Sequence, residues 1–83
     1  MPGTPPIDVI RDIIGEVIGR EADTIEPAQR LVEDLGVDSL AMIEIVIGVE
    51  QQLGVAVPDD EVAGLTTVTG LASYVESPVG QTT

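Results

Sequence analysis

The run that most constrains this chain is Leu40-Ala-Met-Ile-Glu-Ile-Val-Ile-Gly-Val49, the longest apolar stretch in its 83 residues, interrupted by Glu44. It is too short to cross a bilayer, which takes about 20 apolar residues. Read as a helix from Asp38 or Ser39 to Leu53, with Gly54 as the stop, it carries apolar side chains almost all the way round. A surface helix of so small a domain buries only one face, so some of these side chains should be exposed. The helical projection turns Met42, Ile45 or Val46, Val49 and Leu53 toward a core. It leaves Leu40, Ile43 and Ile47 on a stripe beside Ser39, with Glu44 nearby. An apolar stripe with acidic flanks has the character of a docking surface; the alternative is a bundle that encloses this helix more fully.

The rest of the chain reads as shorter helices around that one. Ile7, Ile10, Ile14, Val17 and Ile18 recur at helical spacing, widened by Val9 and Ile13, which predicts an amphipathic helix over about residues 6–19. Pro6 suits its first turn and Gly19 its end. Between residues 20 and 38 the pattern is broken by Pro27 and Gly36, and Ile25, Leu31 and Leu35 are spaced like anchors for a long loop. Val55-Ala-Val-Pro58 is expected to be extended, because a residue before proline avoids the helical region. Asp59 is expected to cap a short helix to about residue 63, and Thr67 a last one over residues 68–76 with Val68, Leu71, Ala72 and Val75 inward. These elements make one all-α domain over residues 1–83, a bundle of three main helices plus a short one, ordered over about 6–76 with frayed ends.

Composition narrows the function. With no Phe, no Trp and one Tyr, the core is aliphatic. With no Cys, neither disulfides nor thiolate metal sites contribute. Lacking His, Cys and Lys, the chain has no usual general base, thiolate nucleophile or Schiff-base amine, so it is read as a protein without catalysis of its own. Asp59, Asp60 and Glu61 lack the alternating spacing and central glycine of a calcium loop, and capping explains them better. The net charge is −12, and all three basic residues, Arg11, Arg20 and Arg30, precede Leu31. Such a surface repels nucleic acid and anionic membranes and attracts partners with basic patches, although solubility alone would also account for it. Met-Pro-Gly-Thr-Pro-Pro lacks the regions of a signal peptide, so a cytoplasmic protein, monomeric to present its surface to many partners, is expected.

Asp34-Leu-Gly-Val-Asp-Ser-Leu40 resembles the phosphopantetheine attachment motif of acyl carrier proteins, with its Asp-Ser-Leu core at Asp38-Ser39-Leu40. Met42-Ile-Glu-Ile-Val46 resembles that family's recognition helix, Val57-Pro-Asp-Asp-Glu61 its third-helix entry, and Leu65-Thr-Thr-Val68 with Tyr74-Val75 its last helix. Leu31 stands where many members have Phe, and Ala41 where many are polar, departures that concern partner choice more than chemistry.

The resemblance implies a four-helix acyl-carrier bundle whose Ser39 hydroxyl receives 4′-phosphopantetheine from coenzyme A through a magnesium-dependent phosphopantetheinyl transferase. It also implies docking to acyltransferase, ketosynthase and other synthase enzymes through Asp34, Asp38, Leu40, Ile43, Glu44, Ile47, Glu50 and Glu61. The pathway is fatty-acid or polyketide biosynthesis, the latter including antibiotics, with a slight lean to the specialised branch from the lysine-free, Gly- and Val-rich composition. The alternatives are an aminoacyl or peptidyl carrier of a nonribosomal pathway, disfavoured by Gly-Val-Asp-Ser in place of Gly-Gly-His-Ser, and an adaptor without the arm.

Overall fold

The computed structural model describes residues 5–76; the expected frayed ends lie outside them. Four α-helices form among these residues: α1 (Pro6–Ile18), α2 (Ser39–Leu53), α3 (Asp59–Val62) and α4 (Val68–Glu76). The local chemistry behind each boundary is visible. Proline sits in the first turn of α1, and Gly19 at φ 75° ends it by returning its N–H to the Gly15 carbonyl. Gly54 does the same for α2 at φ 67°, a left-handed conformation that would strain a residue with a Cβ. Thr67 caps α4, its Oγ1 accepting the Gly70 N–H at 2.9 Å.

One boundary differs from expectation. Asp59 does not cap α3: Pro58, extended at φ −63° and ψ 151°, occupies the cap position and no side chain caps this end. Asp59 is instead the first helical residue, where with Asp60 and Glu61 it faces the positive end of the helix dipole. A 3-10 turn at Ala22–Thr24 also stands in what reads as irregular loop.

The core is aliphatic apart from Tyr74. Ile10, Ile13 and Ile14 of α1 meet Ile45 and Val49 of α2 and Val68, Leu71, Ala72 and Val75 of α4. The anchors Ile25, Leu31 and Leu35 are buried, and so are Val37, Val55 and Val57. Burying each large aliphatic side chain is worth about 1.5–3 kcal/mol, so these anchors hold the connecting segments as firmly as a helix face. Backbone pairing adds to this: Leu31 N–H donates to the Thr66 carbonyl at 2.8 Å, Val68 N–H to the Gln29 carbonyl at 3.2 Å and Thr69 N–H to the Pro27 carbonyl at 2.9 Å. The loop thus supplies acceptors to the first N–H groups of α4, which a helix cannot satisfy internally.

α1 packs tightly at both its glycine contacts. A Cβ at Gly15 would lie 2.5 Å from the Arg20 carbonyl oxygen, whereas one at Gly48 of α2 would lie 2.9 Å from Ile13 Cγ2, a side-chain methyl rather than backbone. Gly15→Ala is therefore expected to lower stability in urea denaturation by about 1–3 kcal/mol, because backbone must move, and Gly48→Ala by less. Equal losses would contradict this account.

Candidate functional site

Ser39 is the first residue of α2 and is exposed. Asp38 precedes it in an extended conformation, and its Oδ1 accepts the Ala41 N–H at 2.8 Å while its carbonyl accepts the Met42 N–H at 2.9 Å. This is an N-cap, worth about 1 kcal/mol. It fixes where the helix starts and so where the Ser39 backbone stands. Just before it, residues 30–37 coil into a compact turn. Asp34 N–H and Leu35 N–H donate to the Arg30 carbonyl, and Val37 N–H returns to the Leu31 carbonyl at 2.9 Å.

The stripe predicted along α2 is present. Leu40, Ile43 and Ile47 are 66%, 56% and 46% exposed, against 0% for Ile45 and Val49, while Met42, Val46 and Leu53 pack partly buried against the core. The more enclosed alternative is excluded by these exposures. Glu44 is exposed on the same helix, and Glu61 is half-buried in the short α3.

Two other acids of the predicted docking set are engaged within the fold. Asp34 Oδ2 accepts the Arg30 backbone N–H at 2.8 Å and lies 3.4 Å from Arg30 Nε. Glu50 Oε2 accepts the Val57 N–H at 2.9 Å. The charges of both were legible in the sequence, but their amide partners come together only in the fold.

Two open clefts border Ser39. One, of about 540 Å³, is lined by Ser39, Met42, Ile43, Val46, Ile47 and Glu50 of α2 and by Val57, Asp59 and Val62. The other, of about 530 Å³, runs between the 31–38 turn and the 62–66 segment and includes Asp38, Ser39 and Val32. Met42 and Val62 line both. Asp34, Leu40, Glu44 and Glu61 line neither. Val32, 64% exposed, extends the apolar surface beyond α2, and sequence reading missed it because a loop has no period to mark a face.

A family described as the phosphopantetheine attachment site matches residues 8–75. The "Acyl carrier protein" of Acidothermus cellulolyticus is 41% identical over 66 residues, covering 80% of this chain and 79% of that protein. The chain belongs to the acyl carrier protein family. The "Meromycolate extension acyl carrier protein" of Mycobacterium leprae is 43% identical over 67 residues, 81% of this chain, and the chain spans only 58% of that protein's length. That of Mycolicibacterium smegmatis is 40% identical over 67 residues, with 68% of its length covered.

Acyl carrier proteins hold 4′-phosphopantetheine covalently, and the site fits that group. The Ser39 and Leu40 N–H groups open α2 without an acceptor among the described residues. The helix N-terminus favours a phosphodiester by about 0.3–1 kcal/mol. Asp38 opposes this slightly, and its carboxylate is already turned onto the Ala41 amide.

The Arg30 backbone N–H, helped by the guanidinium and against slight desolvation, holds the Asp34 carboxyl below its ordinary pKa. A carboxyl with a lowered folded pKa contributes stability that is complete above the unfolded pKa and disappears as pH falls through the folded one. Asp34→Asn is accordingly expected to destabilise at neutral pH, with the gap to the parent closing as pH falls through the acid range. Urea denaturation at stepped pH measures it; a gap independent of pH would remove the charge from the explanation.

Proposed function

We propose that this chain is a non-catalytic carrier that holds acyl groups on a 4′-phosphopantetheine arm at Ser39 and delivers them to synthase enzymes in the cytoplasm. The observation that carries the reading is an exposed serine opening α2 between a buried, anchored loop and an exposed apolar stripe with acids around it. The arm supplies the thiol on which an acyl group is carried as a thioester. The chain's own residues do the rest. Asp38 sets the helix start, so that Ser39 is presented to a phosphopantetheinyl transferase without reorganisation. Leu40, Ile43 and Ile47 offer apolar contact to acyltransferase, ketosynthase and related partners, and Glu44 and Glu61 offer charge to their basic patches.

Exposed ion pairs contribute about 0–1 kcal/mol each, so a few of them beside a small apolar stripe give fast, reversible docking. Release matters as much as binding for a carrier that visits several enzymes.

The cleft beside Ser39 favours an aliphatic cargo. Its apolar lining, Met42, Ile43, Val46, Ile47 and Val62, rewards methylenes at roughly 0.8 kcal/mol each and offers little to a polar polyketide or aminoacyl group. Fatty-acyl intermediates are therefore the proposed cargo, in keeping with relatives whose names refer to meromycolate extension. Four buried methylenes would give about 3 kcal/mol, enough to bias a chain inward and still let it leave.

Intact mass after incubation with coenzyme A, magnesium and a broad-specificity phosphopantetheinyl transferase tests the attachment. The parent should gain one phosphopantetheine and Ser39→Ala none; a folded, previously unmodified parent that gains nothing would favour the armless adaptor. Glu44→Lys is expected to keep the fold and slow acyl transfer by partner enzymes about two- to fivefold. Unchanged transfer would leave Glu44 outside the docking surface.

A further inference from the structure

Residues 55–65, which include α3, wall the cleft beside Ser39 on the side facing α2. Among the described residues one hydrogen bond joins this segment to the rest of the fold, the Val57 N–H donating to Glu50 Oε2 at 2.9 Å. Everything else that holds it is apolar: Val55 and Val57 are buried, and Val62 and Leu65 pack partly buried against the core. α3 itself has four residues and no side-chain cap. A helix that short has no stability of its own, so its place is set by what holds the chain before it.

Glu50 holds that chain twice. Its backbone carbonyl accepts the Gly54 N–H at 3.0 Å, ending α2, and its carboxylate reaches three residues further to Val57. Both Glu50 and Val57 line the cleft. Ser39 lies eleven residues earlier on the same helix, about 16 Å away along its axis at 1.5 Å per residue. The bond thus closes one end of a cleft whose other end is the attachment serine.

We propose that the Glu50–Val57 hydrogen bond is a latch that holds the α3 wall against α2 and so sets how well an acyl group carried from Ser39 is shielded, an inference that rests on the carrier reading above. With the latch made, Val57 and Val62 face Ile43, Val46 and Ile47 across the cleft. With it broken, the Val57 amide loses its acceptor, apolar contacts alone retain the wall between Gly54 and the Leu31-bonded Thr66, and the carried thioester is more open to solvent. Glu50 is on this account a positioning residue, and its carboxylate matters for reach rather than for charge.

Two conservative variants separate reach from charge. Glu50→Gln keeps an acceptor oxygen at the same distance and loses the charge; Glu50→Asp keeps the charge and is one methylene too short. On the arm-free full chain, amide hydrogen exchange followed by NMR should show Val57 exchanging about tenfold faster or more in Glu50→Asp and near the parent rate in Glu50→Gln. α1 core amides report whether the whole fold has loosened instead. On octanoyl-loaded chains, hydroxylamine should cleave the thioester several-fold faster in Glu50→Asp, with Glu50→Gln again like the parent. The proposal is overturned if Gln and Asp behave alike, if Asp matches the parent, if α1 core amides accelerate as much as Val57, or if Val57 exchange changes while cleavage does not. A parent that takes no arm, seen by mass before loading, fails the carrier reading and the shielding role with it; the exchange rates still show whether the latch exists.

Discussion

Where α2 begins depends on how the loop before it is held, and everything at the functional end of the molecule follows from that. Residues 20–38 have no regular helix long enough to fix their own path. They are held by four buried aliphatic side chains, Ile25, Leu31, Leu35 and Val37, and by backbone bonds to the entry of α4. Ordering a residue costs about 1–2 kcal/mol of backbone entropy, and in a chain without cysteine such burial and bonding offset it. The result is a loop that ends at Asp38 in a defined orientation. A serine on a mobile loop would stand in many places; here the backbone that carries it stands in one.

The acids near the serine carry a common charge but do different work. Asp38 satisfies a helix amide, Asp34 tightens the turn that leads into it, and Glu50 reaches across to the segment before α3. Glu44 is exposed, and none of the ion pairs among the described residues includes it. A surface that reads as a uniform acidic field therefore also braces the fold, and Asp34 is in addition paired with Arg30. Such a surface suits weak docking, where each pair adds little and none must be held rigid.

Much of this was legible before the fold was known. The ends of α2 follow from Asp38 and Gly54, and its exposed stripe from a 3.6-residue period that left too many apolar residues for one buried face. The loop anchors were legible because Ile25, Leu31 and Leu35 stand among polar and turn residues. What escaped depends on three-dimensional proximity or on competition at a single site. Asp59 looks like a cap, yet the extended conformation of Pro58 already occupies that position. The cleft that Val32 lines arises only when the 31–38 turn is laid beside the 62–66 segment. The helical period turns four residues of α4 inward, and Tyr74 joins them because its long side chain reaches the core from a flanking position.

The exposed stripe has a further consequence for the protein in crowded solution. Three large aliphatic side chains left open on one helix would ordinarily draw copies of the chain together. Here each copy meets another across surfaces of the same strong negative sign, at a net charge of −12, and like-charged approach is unfavourable. The acids thus make the stripe self-avoiding while leaving it open to any surface of opposite sign. That protection is a function of ionisation and weakens toward the isoelectric point near 4.1, where the same stripe becomes the place at which copies adhere.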